Sequence, residues 1–362
     1  MLPSFSSYNS KSLYISINIS LTMADLISRL QEAKDLEVSG KYLESDTFLT
    51  SIIEDAAQTQ DPVLAALYNQ RGIVRRMLRQ YDKSLADYNS ALGSISLQAI
   101  FGSNPKNEQD EQKALAYINI ADIHRVAHND FGSAHFSLDD ALTYSGNGTL
   151  MHAKAVDQRG LVFVAQENYD SAIKSYKRAR EICDALLQSN PGDKDIENRF
   201  GQVVHHLGDA YLLLQDPAKV GEAYDSSVTA LATFTKLGDN QGIVNAVAAI
   251  GKIASIKNDY PGAIKNYLTA WDILKETGYD RAITWLAFDL AEAHLNNKNP
   301  QNAIPYLERF RDGVLGKQVT EHDNNIMKEP FRNLMLMYNS FEMKIDNFGN
   351  VEAQFAQLSE KN

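Results

Sequence analysis

The sequence of 362 residues contains a single cysteine, Cys183. One thiol cannot form a disulfide within the chain, and it cannot build a zinc site from several cysteines. No run of apolar residues approaches the length of about 18 that a transmembrane helix requires. These absences predict a protein without a membrane span, and the lack of disulfides favours a cytoplasmic location.

Basic residues are also scarce. The chain has 35 Lys and Arg residues against 46 Asp and Glu residues, which gives a formal net charge of −11. Nucleic acids and anionic membranes are both bound through basic surfaces. The sequence therefore predicts neither a nucleic-acid partner nor a membrane partner.

Sequence motifs of catalysis are missing as well. There is no Gly-rich phosphate loop, no Gly-x-Ser-x-Gly and no His-Glu-x-x-His. His124 and His128 have the four-residue spacing of zinc ligands, but no third ligand accompanies them. The adjacent His205 and His206 would point about 100° apart on a helix, so they cannot share one ligand face. We expect no catalytic residues, no cofactor and no metal.

The first 22 residues differ in composition from the rest of the chain. The segment "MLPSFSSYNSKSLYISINISLT" is rich in Ser and Asn and has no acidic residue. We predict that residues 1–22 are a disordered extension. A well-formed helix is predicted to begin at Met23, which is also a candidate start of translation.

The chain does contain a repeated pattern. The segments "NDYPGAIKNYLTAW" (258–271), "ENYDSAIKSYKRAR" (167–180) and "RQYDKSLADYNSAL" (79–92) each place a tyrosine three residues before a small residue. Successive small residues of this kind, which we call anchors, are 38 to 50 positions apart, a spacing typical of stacked helical repeats. The predicted anchors are Ser45, Ser84, Ala134, Ala172, Val220, Ala263 and Ala303.

Each repeat is predicted to be a pair of helices. Apolar or small residues follow the anchors at helical spacing, and a second small residue lies twelve positions before most anchors. In the third repeat the separation between Ala121 and Ala134 is thirteen, which predicts one extra residue in that turn. A glycine inside a helix costs about 1 kcal/mol relative to alanine. Its recurrence at Gly72, Gly160, Gly208 and Gly251 therefore indicates close packing between the two helices of a repeat.

These segments resemble the tetratricopeptide repeat, most clearly in "LYNQRGIVRRMLRQYDKSLADYNSAL". The resemblance covers about residues 24–312 and is greatest to the long-helix subgroup of kinesin light chains, LGN-type adaptors and bacterial Rap-type regulators. It implies an all-α fold, a right-handed α-α superhelix of about seven helical hairpins over residues 23–312. Residues 313–362 would then form a C-terminal capping helix and tail.

The resemblance also implies where a partner binds. The first helix of each repeat would line a concave groove that holds a peptide or a partner helix, with Ile73, Asp122 and Glu292 as further groove positions. A solvated polar face is the alternative interpretation, since any exposed helix carries such residues. The predicted groove residues are Lys34, Asn69, Arg76, Asn119, Arg125, Lys154, Asp157, His205, Asp209, Asn245, Lys252, Trp285 and Phe288.

Two functions from different classes compete on this basis. The first is an interaction scaffold for a protein or peptide partner. The second is a peptide-responsive sensor like the Rap-type regulators, in which a bound peptide alters the site of a second partner. Those regulators carry an additional N-terminal helical bundle, for which residues 1–22 are too short, so the scaffold is favoured. The oligomeric state and the partner are left open.

Overall fold

A computed structural model describes residues 22–57, 63–101, 106–277 and 280–315 of the chain. Within these ranges the chain forms helices and turns and no strand, as the repeat pattern predicts. The α-helices are α1 (Met23–Val38), α2 (Tyr42–Ala57), α3 (Leu64–Met77), α4 (Tyr81–Phe101), α5 (Lys106–Ile123), α6 (Phe131–Tyr144), α7 (Leu150–Ala165), α8 (Tyr169–Ser189), α9 (Lys194–Leu213), α10 (Val220–Leu237), α11 (Asn240–Ile256), α12 (Tyr260–Thr277), α13 (Asp280–Asn296) and α14 (Pro300–Leu315).

The helices divide into two compact units, and each is described by itself. The first unit ends at Ile123 and contains α1 to α5, and the second begins at His124 and contains α6 to α14. Within the units, α1 packs on α2, α3 on α4, α7 on α8, α9 on α10, α11 on α12 and α13 on α14. We call the odd-numbered helices first helices and the even-numbered helices second helices.

Glycines on the first helices lie directly against tyrosine rings of the second helices. A Cβ atom added at Gly72 would lie 2.4 Å from Cε1 of Tyr88, which is completely buried. The hydroxyl of the anchor Ser84 donates a hydrogen bond to the carbonyl oxygen of Gly72 at 2.6 Å. The predicted close packing is thus confirmed, with an aromatic ring rather than the anchor itself against the glycine. The same contact recurs between Gly160 and Tyr176 at 2.4 Å and between Gly251 and Tyr267 at 2.6 Å.

Six of the seven predicted anchors are buried, but the anchor predicted at Val220 is wrong. Val220 is half-buried and begins α10, whereas Ala223 is completely buried three residues later. Gly208 lies against the carbonyl oxygen of Ala223, at 3.3 Å from a Cβ built on the glycine. The physical reason is an insertion: the 3₁₀ helix Pro217–Lys219 adds three residues before the second helix begins. With Ala223 as the anchor of the fifth repeat, the second helix of every repeat starts three residues before its buried anchor.

The extra residue predicted in the third repeat is confirmed, and it lies at the end of the first helix rather than in the turn. Residues His124–His128 form a π-helix, in which each turn holds one more residue than in an α-helix. The amide of Asp130 donates to the carbonyl oxygen of His124, six residues back. The corresponding hydrogen bond in the second, fourth and sixth hairpins joins residues that are five apart, as between Gln80 and Arg75. The π turn thus absorbs the additional residue.

Each hairpin reverses through one residue in the left-handed region of backbone conformation. This residue lies two positions before the following helix, and its φ lies between 51° and 74°. Only Gly40 among them is a glycine, although the conformation costs other residues about 1–2 kcal/mol. The remaining residues are Arg79, Asn129, Glu167, Gln215, Asn258 and Lys298.

The predicted start of the first helix is confirmed. Thr22 caps α1: its hydroxyl accepts from the amide of Asp25 at 3.2 Å, and the carboxylate of Asp25 accepts from the amide of Thr22 at 2.9 Å. At the other end α14 continues to Leu315, past the predicted boundary at 312. The predicted extension before Thr22 and most of the predicted C-terminal cap lie outside the described residues. Among the helices in the described ranges, none has the length and apolar character to cross a lipid bilayer.

Candidate functional site on the first helices

A buried carboxylate joins two first helices of the second unit. Asp157 on α7 is 1% exposed, and its oxygens accept from Nη1 of Arg199 at 3.0 Å and from Nδ1 of His206 at 2.8 Å, both on α9. Burial alone would raise the pKa of Asp157, but His206 and Arg199 lower it below its usual value. Burial opposes the charge of His206 as well, and Asp157 nevertheless raises the pKa of that imidazole. Asp157 therefore fastens α7 to α9 and presents almost no surface of its own.

His205 lies beside this network with a different environment. Its Nε2 is 3.4 Å from a carboxylate oxygen of Asp209, one helical turn further on. Burial lowers the pKa of His205, so the ring is held neutral more strongly than a free histidine. Its Nδ1 atom is buried and makes no hydrogen bond within the described part of the chain. Of the two predicted groove residues here, Asp209 is the more open, with 46% of its side chain exposed.

Lys252 on α11 is exposed and interacts electrostatically with two carboxylates of α13, those of Asp289 and Glu292. Burial raises the pKa of Asp289 to about 7, while the exposed Lys252 lowers it and Glu292 raises it. Glu292 is exposed on α13, and partial desolvation by its neighbours raises its pKa as well. Asp289 is not among the groove residues predicted from the sequence. Its position three residues before Glu292, on the same side of the helix, is the signal that would have added it to them. Asn245 is exposed on α11 and accepts from Nε2 of Gln241 at 3.0 Å.

Two aromatic residues predicted for the groove differ in their placement. Phe288 is 6% exposed and packs edge-on against Phe310, with ring centroids 5.5 Å apart, so it belongs to the core. Trp285 is half-buried and retains surface. Lys154 on α7 is half-buried, as is Arg125 within the π-helix.

In the first unit, polar side chains tie α3 to α5. Asn69 is 1% exposed and donates from Nδ2 to the carbonyl oxygen of Gln112 at 3.1 Å and to its Oε1 at 2.9 Å. Arg76 forms an ion pair with Asp122 at 3.0 Å. Asn119 is half-buried on α5, and Lys34 is exposed on α1. Like Asp157 and Phe288, Asn69 has too little exposed surface to be a first contact for a partner.

Several buried polar atoms on the first helices have no hydrogen-bond partner among the described residues. In the first unit they include Oδ1 of Asn69, Nε of Arg76 and Nδ2 of Asn119, and in the second unit Nε of Arg199 and Nδ1 of His205. Buried polar groups in folded proteins are otherwise paired in the great majority of cases. The first helices thus hold donors and acceptors that the fold leaves unused.

Cys183 takes no part in this arrangement. It is completely buried, and burial raises the pKa of its thiol to about 12. A thiol with that pKa remains protonated at neutral pH and packs as a small apolar side chain.

Paired helices with a buried anchor and a closely packed first helix define a helical-hairpin repeat protein, and the fold is that of tetratricopeptide-repeat proteins. No protein-family model matches the sequence, and no curated protein resembles it in sequence. Solved structures do share the fold. The apo form of RapI is 12% identical, with 92% of this chain and 86% of that chain covered at a TM-score of 0.58.

Two further solved structures are similar. A Rap protein complexed with Competence and Sporulation Factor is 14% identical, with 93% of this chain and 98% of that chain covered at a TM-score of 0.55. BtubC (BKLC) from P. vanneervenii is 15% identical, with 65% of this chain and 91% of that chain covered at a TM-score of 0.52. The structural similarity establishes a common fold. At identities this low it does not establish a function, which has to be argued from the residues.

Proposed function

We propose that the protein is an interaction scaffold that binds a peptide or a partner helix on its first helices. The observation that carries the proposal is the set of polar side chains that retain surface on the first helices, among them Arg76 and Asn119 in the first unit and Asn245 and Lys252 in the second. Amide and guanidinium groups of this kind match the backbone and the carboxylates of a peptide. The second helices bury mainly small and apolar residues around their anchors, which serves packing.

In the second unit, surface for such a partner is available at Asn245, Lys252 and Asp209. Asn245 and Lys252 are exposed on α11, and the carboxylate of Asp209 is nearly half exposed on α9. Trp285 adds apolar area, and aromatic residues are frequent anchors of binding energy in interfaces. A partner that lies across these helices would meet alternating polar and aromatic contacts.

The test is affinity capture from the source cell with matched variants. We expect the double variant Asn245→Ala/Lys252→Ala to lose the partners that the wild-type protein retains. The control is Lys174→Ala/Lys265→Ala, which removes exposed residues from the second helices α8 and α12 and should retain them. Loss of the same partners in the control but not in the first-helix variant would contradict the proposal.

A peptide-responsive sensor is a second candidate. It is favoured by the extent of the similarity to the Rap protein complexed with Competence and Sporulation Factor, which covers 93% of this chain. A sensor would change its dimensions when a captured peptide is added, and small-angle X-ray scattering measures that change. An unchanged radius of gyration at saturating peptide would favour the passive scaffold.

A further inference from the structure

A pocket opens where the fifth hairpin carries its three extra residues. Its volume is about 390 Å³, within the range of about 300–1,000 Å³ typical of ligand sites. It lies between the end of α9, the beginning of α10 and the end of α11, all in the second unit. The residues that line it are Tyr211, Leu212, Gln215, Asp216, Pro217, Val220, Ile256 and Lys257.

The three-residue insertion accounts for the pocket. In the neighbouring hairpins, the residue that begins the second helix is a tyrosine, Tyr169 or Tyr260. In the fifth hairpin this place is taken by Val220, and the 3₁₀ turn from Pro217 separates it from the end of α9. Val220 has a smaller side chain than the tyrosine that begins the second helix in those hairpins. Ile256 borders this space with 49% of its surface exposed.

Lys257 and Asp216 line the pocket and Lys177 lies beside Tyr211, so two of these three charges are positive. Nζ of Lys257 lies 5.4 Å from the ring centroid of Tyr224, and Nζ of Lys177 lies 5.8 Å from that of Tyr211. Neither lysine forms an ion pair within the part of the chain that the structure describes. The acidic groups nearby are Asp216 and Glu222.

Asp216 accepts from the amide of Ala218 at 2.9 Å and so caps the 3₁₀ helix. Glu222 is paired with Lys219 at 2.8 Å. The pocket is therefore flanked by two lysines and one carboxylate, a local excess of positive charge in a chain with a net charge of −11. Such charge complementarity selects an acidic partner.

We propose that this pocket docks a short acidic segment of a partner protein. One or two bulky apolar side chains of the segment fill the space beside Ile256 and Val220, and its carboxylates pair with Lys177 and Lys257. This docking site lies at the end of α11, one turn beyond Lys252 and three turns beyond Asn245.

The probe is a fluorescently labelled, capped peptide with the sequence Glu-Asp-Leu-Phe-Asp-Glu, added to the full chain. Fluorescence anisotropy should show saturable binding. The charge-reversed peptide Lys-Lys-Leu-Phe-Lys-Lys should bind at least about tenfold more weakly. Equal binding of the two peptides, or no binding of the acidic one, would overturn the proposal.

Variants locate the site. Lys257→Glu and Lys177→Glu should each weaken the acidic peptide at least about fivefold, whereas Lys265→Glu, an equally charged change at an exposed position of α12, should leave it unchanged. Val220→Trp should abolish binding by filling the pocket. Deletion of residues 217–219 should do the same while the hairpin closes in the register of its neighbours.

Circular dichroism and thermal melting establish that each variant is folded. The wild-type affinity in a folded Val220→Trp protein would place the peptide elsewhere and refute the pocket. Asn245→Ala, three turns before Ile256 on α11, should bind the probe like the wild type, so failure of this site and failure of the first-helix surface are distinguishable.

Discussion

A single methyl group decides how closely α3 approaches α4. The position of a Cβ at Gly72 falls 2.4–2.8 Å from three atoms of the Tyr88 ring, and this ring has no exposed surface into which it can move. Glycine destabilises a helix relative to alanine, but only glycine fits at this position because the Tyr88 ring occupies the space that any side chain would need.

Substitution of this glycine should therefore destabilise the protein even though alanine is the better helix former. We expect Gly72→Ala to lower the free energy of unfolding by about 1–2 kcal/mol, an overpacking cost reduced by the gain in helix propensity. The matched control is Gly93→Ala in α4, where nothing lies within 4 Å of the added Cβ. It should raise stability by up to about 1 kcal/mol. Urea unfolding measures both, and a destabilisation of equal size in the two variants would exclude the steric explanation.

The carboxylate of Asp157 makes stability depend on pH through His206. Because the folded pKa of His206 is raised above its usual value of 6.5, its contribution is complete below pH 6.5 and is lost as pH rises through the folded pKa. The pKa of Asp157 is lowered below 3.8, so the contribution of Asp157 is lost only as pH falls below that value.

The difference in unfolding free energy between the wild type and His206→Gln should therefore be largest between pH 3.8 and 6.5 and should shrink at alkaline pH. Urea titrations across this range measure the difference. His128→Gln, at an exposed histidine, serves as the control. A His206→Gln difference that does not vary with pH would show that the imidazole is not charged in the fold.

At the scale of the element, the hairpin turn imposes a backbone conformation that the sequence does not reveal. Glu167 has a φ of 57°, in the left-handed region, between α7 and α8. A residue with a Cβ atom is strained there, and a β-branched one more so. The turn is retained because the helices on both sides fix it through their packing.

Glu167→Gly should raise the free energy of unfolding by up to about 1 kcal/mol, since relief of strain exceeds the added entropy of the unfolded chain. Glu167→Val should lower it by about 1 kcal/mol or more. Lys174→Gly, in the exposed middle of α8, should have the opposite sign to Glu167→Gly and cost about 1 kcal/mol. Differential scanning calorimetry distinguishes them, and a loss of stability in Glu167→Gly would mean that the turn is not strained.

The repeat pattern predicted the elements well because each anchor must be small and buried for its hairpin to close. It failed at Val220 because spacing alone cannot show that the 3₁₀ turn from Pro217 delays the helix by three residues. The site was harder to predict. Helical phase places Asn69, Asp157 and Phe288 on the first helices, but burial depends on the neighbouring helices, which one helix's sequence does not contain.

At the scale of the whole molecule, the helices contact mainly their neighbours along the chain. In the second unit α7 contacts α6, α8 and α9, and α13 contacts α11, α12 and α14. Stability in such an arrangement is approximately a sum over hairpins and their interfaces, so damage should remain close to where it arises.

Gly160→Ala, which places a Cβ 2.4 Å from the ring of Tyr176, tests this locality. Amide hydrogen exchange should accelerate in α7, α8 and α9, and the protection of α13 and α14 should be unchanged. Uniform acceleration throughout the second unit would show that it unfolds as one cooperative body.

The reversals inside the hairpins and the connections between them differ in how they could accept new sequence. Every reversal contains one residue in the left-handed conformation. One additional residue is accommodated by a π turn in the third hairpin, and three by a 3₁₀ turn in the fifth. The connection from Ser189 to Lys194 has no such constraint of register, since Gly192 at a φ of 85° is open to solvent. A gene encoding this chain could therefore exchange or graft whole hairpins at such joints, so that recombination there would keep the two helices of each hairpin together.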